Sequence, residues 1–440
     1  VLNYAPARAE AYYRRVPLVA VSADRPFDAI DQRDSQTIRQ SHALDAVVRR
    51  SVDIADDASP RYLRYARRLI NDAVSEAVGP LPGPVHINMQ FDVPLTPMAE
   101  VAPIACSGRI DVCRPARSDF GGVIDSIDND ARILIVLGDM PFDVRMRRIL
   151  GHLAESGAVA FHAEAQSNAP ASCRIGRKSS YETLPAPDVV LSAGGSLVSA
   201  KVKAFLRAHP ESRHISIGYD DSAVDTFGSL DTVVHCCPAD FFEALAASGK
   251  GCRDFAGTWS KVPDDRQGSA VVQVLQTIVS AFPDGVFHFS NGSSVRYAQL
   301  LDFGDDNRVE SNRGCSGIEG ATSTAIGDAM SSASRHLVLV TGDMSAAYDI
   351  GALAVHGIPD TFRMVVLDNC GGDIFRAVAT TRELPERETL FATPPQLPLK
   401  ALAEAYGCRY FDGDTDGFVG CGSRAILHLH VPPGDCVNVM

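Results

Sequence analysis

The chain has 440 residues, of which 45% are apolar and 22% charged, and its net charge is −13. This length exceeds what one hydrophobic core usually organises, and the mixed composition excludes a fibrous or disordered protein. No apolar run approaches the roughly 20 residues that cross a bilayer, and the acidic balance argues against a nucleic-acid partner, whose binding needs clustered Lys and Arg.

The eleven cysteines are scattered, and no two of them have the C-x-x-C spacing. A disulfide framework is typical of short secreted chains, and a structural zinc site needs paired ligands. The opening residues, from Val1 onward, resemble neither a signal peptide nor a transit peptide. We therefore expect a cytoplasmic enzyme of small molecules, with free thiols and no membrane partner.

The first part of the chain contains two predicted strands and one predicted helix. Residues 16–22 (VPLVAVS) and 83–91 (GPVHINMQF) are apolar runs typical of buried strands. Ser59 is suited to cap a helix with Pro60 at its first position, and apolar residues then recur at helical spacing until a Gly-Pro pair. A Pro-rich stretch at 94–103 follows, and we predict a linker there.

Strands and helices alternate in the rest of the chain. Helices are predicted at 146–154 and after Leu197. Apolar runs predict strands at 133–137, 159–162, 189–192, 214–218, 286–290, 337–340 and 364–367. This alternation predicts parallel sheets covered by helices. We therefore predict three α/β domains, at residues 1–95, 96–260 and 261–440.

The most informative stretch, residues 336–376, contains two predicted strands that each end in polar residues. Asp343 follows the first strand, and Asn369 follows the second, 26 residues later and just before a Gly-Gly pair. Parallel strands joined by a crossover helix have their C-terminal ends at the same edge of a sheet. We therefore expect Asp343 and Asn369 to lie side by side.

These residue types can hold a divalent cation. A carboxylate, an amide carbonyl and a backbone carbonyl of the Gly-rich turn are hard oxygen ligands, and they leave octahedral positions for water and phosphate oxygens. The backbone amides near Met344 and Ser345, at the start of the crossover helix, suit a diphosphate. The sequence therefore predicts a metal-diphosphate site.

The chain contains a control for this interpretation, because a second Gly-Asp-Met tripeptide follows the strand at 133–137. The nearest downstream asparagine there, Asn168, precedes Ala-Pro rather than Gly-Gly. Gly-Asp after a strand is common, and an asparagine at a suitable distance can occur by chance. We interpret Asp139 as structural.

Three separated segments of the chain form a recognisable set, namely SADRP…SQTIRQ at 22–40, SNRGCSGI at 311–318, and GDMS…DNCGGDIF, which begins at Gly342. Together they resemble segments of thiamine-diphosphate enzymes, and in particular of the 2-succinyl-5-enolpyruvyl-6-hydroxy-3-cyclohexene-1-carboxylate synthases. They follow the family's order at similar spacing. The resemblance implies the thiamine-diphosphate-enzyme fold, with three parallel-sheet α/β domains, the first of them incomplete, and the cofactors thiamine diphosphate and Mg²⁺ (or Mn²⁺).

The resemblance also implies roles for individual residues. The metal ligands would be Asp343, Asn369 and the carbonyl of Gly371. The residues that bind the cofactor would be Asn291, Ile318, Gly342, Met344, Ser345 and Ile374. The residues that contact substrate or wall the active site would be Arg25, Gln36, Lys201, Arg296, Arg313 and Phe375.

The reaction implied by the family is decarboxylation of 2-oxoglutarate and addition of the resulting carbanion to isochorismate, a carboligase (transferase) step of menaquinone biosynthesis. Both substrates are dianions, and Arg pairs carboxylates bidentately while staying charged. The family also implies a homodimer or tetramer. Its activating Glu lies upstream of the segment at which this sequence begins, so we expect an N-terminally truncated chain that does not turn over.

Several positions depart from the family pattern. Ala200-Lys201 stands where a Lys-Arg pair is usual, Gly292 replaces a Ser, and Cys370 replaces an Asn. Two alternatives therefore stay open: another carboligase of the acetolactate synthase type, and a non-catalytic fragment that keeps the metal-diphosphate half-site. A nicotinamide site at Gly194-Gly195-Ser196 is disfavoured because no Gly-x-Gly-x-x-Gly accompanies it.

Overall fold

The computed structural model describes residues 1–33, 36–92, 120–174, 181, 183–219, 223–261, 269–332 and 334–434. These residues form two compact units. The first comprises residues 1–92 with Tyr219, and the second comprises residues 120–218 and 223–434. The predicted linker at 94–103 and the boundary beside it lie outside the described residues.

The first unit is a parallel three-stranded sheet with the strand order β1-β3-β2. Its elements are α1 (Ala5–Arg14), β1 (Leu18–Asp24), β2 (Arg50–Ile54), α2 (Pro60–Ala77) and β3 (Pro84–Gln90). The hydroxyl of Ser59 accepts a hydrogen bond from the backbone N–H of Tyr62, which confirms the predicted cap of α2. Small residues let this helix pack closely on the sheet, among them Ala66, Ala73 and Ala77.

The second unit begins with a five-stranded parallel sheet with the order β5-β4-β6-β7-β8, called here the central sheet. Its strands are β4 (Ile133–Leu137), β5 (Ala160–Ala163), β6 (Val189–Ala193), β7 (Arg213–Ile217) and β8 (Leu230–Val234). The helices of this region are α3 (Gly121–Asp125), α4 (Val144–Ser156), α5 (Ala200–Arg207), α6 (Pro238–Ser248) and α7 (Arg253–Lys261). Separate apolar clusters cover its two faces, as a parallel sheet requires.

The third sheet has six parallel strands in the order β10-β9-β11-β12-β14-β13. Its strands are β9 (Val286–Phe289), β10 (Arg308–Glu310), β11 (Leu337–Gly342), β12 (Phe362–Asp368), β13 (Arg409–Asp412) and β14 (Ala425–His430). The helices are α8 (Ala270–Ala281), α9 (Ser293–Ala298), α10 (Ala321–Ser331), α11 (Asp343–Asp349), α12 (Ile374–Ala377), α13 (Leu399–Ala405) and α14 (Thr415–Val419). The crossover after β11 is α11 followed by a 3₁₀ helix at Ile350–Ala354.

The predicted α/β class with three parallel sheets is confirmed. Five strands that the sequence analysis did not predict complete the sheets, namely β2, β8, β10, β13 and β14. The division of the second unit between residues 260 and 261 stays a prediction. None of the eight cysteines of the described residues forms a disulfide. In the described part of the chain, no helix combines the length and apolarity that a bilayer-spanning segment needs.

Candidate metal centre

The two predicted metal-binding side chains lie at one edge of the third sheet. β11 and β12 pair in parallel, with Gly342 opposite Leu367. Asp343 and Asn369, which come just after these strands, are therefore neighbours, and both are buried. The expected juxtaposition is confirmed, while the role of these residues in metal binding stays a prediction.

The side-chain amide of Asn369 faces two oxygen atoms. One amide position lies 2.9 Å from the carbonyl oxygen of Gly371 and 3.3 Å from Oδ1 of Asp343. If the amide nitrogen occupies this position, it donates to both oxygens; if the amide oxygen does, three oxygens converge and need a cation between them. Octahedral Mg²⁺ with bonds of 2.0–2.1 Å separates adjacent ligands by about 3 Å. The oxygen separations therefore fit this ion.

The carboxylate of Asp343 is only 3% exposed. Its oxygens accept hydrogen bonds from the backbone N–H groups of Met344, at 2.8 Å, and Gly371, at 2.6 Å. Burial raises the pKa of the Asp343 carboxyl to about 6. The two backbone hydrogen bonds lower this pKa, and the nearby Asp368 raises it. No basic side chain pairs with Asp343 among the described residues. A bound cation would supply the missing positive charge.

The turn after Asn369 requires glycine. Gly371 has a φ of +107°, and a Cβ added there would lie 2.2 Å from the carbonyl oxygen of Ala392. Such a φ strongly favours glycine. The close approach of Ala392 and the N–H of Gly371 together aim the Gly371 carbonyl toward Asn369.

Arg376 also contacts the backbone of this turn. Its guanidinium donates to the backbone carbonyls of Asn369, at 2.9 Å, and Cys370, at 2.7 Å. The same group pairs with Asp373 and Glu388. Sequence reasoning missed Arg376 because a single Arg after the Ile-Phe pair gives no signal of backbone contacts. Arg376 therefore positions the loop that would ligate the metal.

Several residues predicted to bind the cofactor lie next to this centre. Ser345 is buried, and its hydroxyl donates to the carbonyl of Ile318. This bond ties the start of α11 to the loop at 311–318. The N–H of Met344 is used by Asp343, and that of Gly342 donates to the hydroxyl of Ser290. Ile318, Gly342 and Ser345 are thus brought together.

Asn291 anchors the same loop. Its amide nitrogen donates to the carbonyls of Asn312, at 2.6 Å, and Gly317, at 2.7 Å, and its oxygen accepts from Arg313 at 2.8 Å. These contacts fix the 311–318 loop around a buried side chain. Direct contact of Asn291 with a cofactor stays a prediction.

Two cations converge on one carbonyl beside this loop. Arg313 and Lys203 donate to the carbonyl of Leu197 at 3.4 and 3.3 Å. Burial lowers the pKa of Lys203; Glu164 raises it, and Arg313 and other arginines, including Arg296, lower it. The predicted Lys201 is exposed, in the first turn of α5. Sequence reasoning missed Lys203 because the family pattern pointed to its neighbour.

The remaining predicted residues are placed as follows. Arg296 is half-buried, and it donates to the carbonyl of Gly292 at 2.6 Å. Ile374 and Phe375 begin α12, just after the glycine turn, and the ring of Phe375 packs 5.6 Å from that of Phe391. Their position beside the turn suits the predicted wall of an active site.

Arg25 and Gln36 belong to the first unit. Arg25 is half-buried just after β1, and its backbone N–H donates to Asp24. Gln36 is exposed in a left-handed turn with a φ of +62°. Their predicted contacts with substrate stay predictions.

No protein-family model matches this chain. Curated relatives do match it over nearly its whole length, and those from three bacteria are each named 2-succinyl-5-enolpyruvyl-6-hydroxy-3-cyclohexene-1-carboxylate synthase. The protein of Porphyromonas gingivalis is 33% identical, over 97% of this chain and 81% of the relative. That of Desulfotalea psychrophila is 32% identical, over 98% and 85%. That of Flavobacterium johnsoniae is 32% identical, over 99% and 81%.

Proposed function

This chain belongs to the 2-succinyl-5-enolpyruvyl-6-hydroxy-3-cyclohexene-1-carboxylate synthase family, and from that membership we propose that its metal centre holds thiamine diphosphate through Mg²⁺ or Mn²⁺. The function is the synthase step of menaquinone biosynthesis that the names of its relatives indicate. These names do not favour an acetolactate synthase or a non-catalytic fragment.

The observation that carries the cofactor proposal is the convergence of oxygens at Asp343, Asn369 and Gly371. Asp343 is a buried acid without a basic partner among the described residues, and an Mg²⁺ ion would neutralise it. These three residues would hold the metal, and the metal would in turn hold the diphosphate. Bound thiamine diphosphate supplies an electron sink for decarboxylation of a 2-oxo acid.

The protein's own contribution is to hold and orient the reactants. Arg376 binds the backbone carbonyl of Asn369 in the turn after β12, and the Ser345 hydroxyl binds the carbonyl of Ile318. Arg313 and Lys203 place two positive charges at the Leu197 carbonyl. The substrates of the proposed transferase reaction, 2-oxoglutarate and isochorismate, are dianions, so fixed cations would bind their carboxylates. Arg296 lies close enough to influence Lys203 electrostatically.

We also propose that the protein works as a homodimer or tetramer, as the family resemblance implies. Sedimentation of the purified protein with and without thiamine diphosphate and Mg²⁺ tests this proposal. A single monomeric species at micromolar concentration under both conditions would contradict it.

The reaction is tested with this chain extended at its N-terminus by the family segment that carries the activating Glu, incubated with thiamine diphosphate, Mg²⁺, isochorismate and either 2-oxoglutarate or pyruvate. Mass spectrometry should detect the succinyl adduct with 2-oxoglutarate and no acetolactate with pyruvate. Formation of acetolactate without the succinyl adduct would contradict the proposal.

The two lysines of α5 offer a matched pair for the substrate contacts. In the same extended protein, Lys203→Met should raise the KM for the dianionic substrates about 10-fold, since it removes a partly buried cation, whereas exposed Lys201→Met should change KM little. The reverse order of effects would assign the contact to Lys201.

A further inference from the structure

A second group of side chains that can bind a metal lies on β12 and β14, beside the candidate metal centre. Asp368 on β12 is directly opposite His430 on β14, and His428 shares the face of His430 because side chains two apart in a strand point the same way. One donor atom from each residue lies within 4.8 Å of the other two. We propose that Asp368, His428 and His430 bind a divalent transition-metal ion of the zinc type.

The hydrogen bonds of the two histidines support this assignment. The hydroxyl of Tyr410 lies 2.8 Å from Nδ1 of His428, and a carboxylate oxygen of Asp412 lies 2.9 Å from Nε2 of His430. Both partners belong to β13, which pairs with β14. Histidines that ligate metals usually have their second ring nitrogen held by a carboxylate or similar group, which fixes ring orientation. β13 therefore supplies the groups that hydrogen-bond to the two histidines, and β12 and β14 supply the metal ligands.

The donor set selects the type of ion. Two imidazole nitrogens and one carboxylate oxygen suit Zn²⁺ and its neighbours, whereas Mg²⁺ prefers oxygen ligands alone. Oδ2 of Asp368 is 2.8 Å from Nε2 of His428. Tetrahedral Zn²⁺, with bonds of about 2.0–2.2 Å, needs about 3.3 Å between these atoms. The ion can therefore replace the bridging proton after a side-chain movement of about half an ångström, and water can take the fourth position.

Solvent reaches this cluster from outside the sheet. The side chain of His430 is 63% exposed, while those of Asp368 and His428 are 29% and 15% exposed. Tyr410 and His428 also line an open groove of about 370 Å³ beside α13. An ion can enter without unfolding of the strands, and Asp368 and His428, which are partly buried, are the less exposed of the three ligands.

Calorimetric titration of the whole chain with Zn²⁺ alone, without thiamine diphosphate, tests the proposal. The wild-type protein should bind one Zn²⁺ ion. His430→Gln should bind it at least about 100-fold more weakly, because removing only a group that hydrogen-bonds to a ligand already weakens metal binding 10–100-fold. The control is His356→Gln, another exposed histidine outside the cluster. Absence of binding by the wild type, or equal binding by His430→Gln, would overturn the proposal.

Two further variants separate this site from the rest of the molecule. Asp139→Asn should leave zinc binding unchanged, since Asp139 follows β4 in the central sheet and is not among the three ligands. Tyr410→Phe should weaken zinc binding about 10-fold by freeing the His428 ring. Because His430 is exposed, its replacement should not change the melting temperature of the ion-free protein.

The exposed cysteines Cys315 and Cys370 are the competing ligands among the described residues. Co²⁺ in place of Zn²⁺ distinguishes them, because thiolate coordination adds an intense charge-transfer band that imidazole and carboxylate do not give. The proposal predicts only the weaker visible bands of nitrogen and oxygen coordination. A thiolate band that survives in His430→Gln would assign the bound metal to cysteine and contradict it.

Discussion

The same tripeptide, Gly-Asp-Met, stands at the C-terminal end of one strand in each sheet of the second unit, with different results. After β4, the carbonyl of Asp139 accepts a hydrogen bond from Gly195 at 2.8 Å, and its side chain is half-buried. After β11, the side chain of Asp343 is buried and faces Asn369 and Gly371. In the central sheet a backbone carbonyl of the tripeptide accepts a hydrogen bond, whereas in the third sheet the aspartate carboxylate of the tripeptide lies near two further oxygen atoms.

The neighbouring strands differ at the two sites. β6, which pairs with β4, ends at Ala193 and is followed by two glycines, which have no oxygen-bearing side chain. β5, on the other side of β4, is followed by Glu164, whose carboxylate accepts hydrogen bonds from backbone N–H groups after β6. β12, which pairs with β11, ends at Asp368 and is followed by Asn369. A Gly-Asp pair after a strand therefore becomes a candidate metal site only if the adjacent strand supplies the second ligand at the same edge.

The largest expected effect follows from removing each aspartate in turn. Asp343→Ala should weaken Mg²⁺-dependent binding of thiamine diphosphate by more than about 100-fold, because it removes a proposed metal ligand and not merely a group that hydrogen-bonds to one. Asp139→Ala should leave this binding unchanged. Isothermal titration calorimetry measures both, and equal losses in the two variants would remove the distinction between the two strand ends.

The glycine turn gives the next effect. In Gly371→Ala, the added Cβ would meet the Ala392 carbonyl at a φ of +107°, so we expect a loss of stability of about 1–3 kcal/mol and weaker Mg²⁺ binding. Gly327→Ala is the control, since a Cβ in α10 meets nothing within 4 Å and alanine favours helix. Denaturant unfolding compares the two. A Gly371→Ala protein as stable as Gly327→Ala would contradict the account of the turn.

Arg376→Gln should weaken Mg²⁺ binding about 10-fold, since Arg376 contacts the backbone of Asn369 and Cys370 and not the metal itself. The matched control is Arg382→Gln, an exposed arginine on the same segment. Titration with Mn²⁺ followed by electron paramagnetic resonance reports metal affinity without turnover. Unchanged affinity in Arg376→Gln would show that the loop holds its shape without this residue.

The smallest expected effect concerns the central sheet and pH. Burial lowers the pKa of His214 on β7 to about 4, below its ordinary value near 6.5. The unfolded chain therefore binds more protons between pH 4 and 6.5, so stability falls as the pH is lowered through this window. His214→Gln should flatten that slope by up to about 1.4 kcal/mol per pH unit. Denaturant unfolding at several pH values measures it, and an unaltered slope would contradict this account of His214.

The sequence predicted those parts of the site that depend on local pattern and topology. The strand, the crossover and the second strand placed Asp343 beside Asn369 because consecutive parallel strands share an edge. β13 and β14 were missed, because short runs such as Arg409–Asp412 carry little periodic signal. β14 also lies between β12 and β13 in the sheet, an order that local pattern does not reveal.

Side chains that act across the fold could not be predicted in the same way. Arg376 reaches back to Asn369, and Arg313 reaches the carbonyl of Leu197, 116 residues away in sequence, where Lys203 also donates. The His428 and His430 cluster depends on strand pairing with Asp368. Such contacts follow from tertiary packing, so spacing along the chain gives no indication of them.

The position of the bound metal tests the central claim most directly. Crystals grown with Mn²⁺ and thiamine diphosphate should show an anomalous difference peak within bonding distance of the Asp343 carboxylate, the Asn369 amide oxygen and the Gly371 carbonyl. A peak beside Asp139, or an empty space between Asp343 and Asn369 while Mn²⁺ and the cofactor bind elsewhere, would contradict the account.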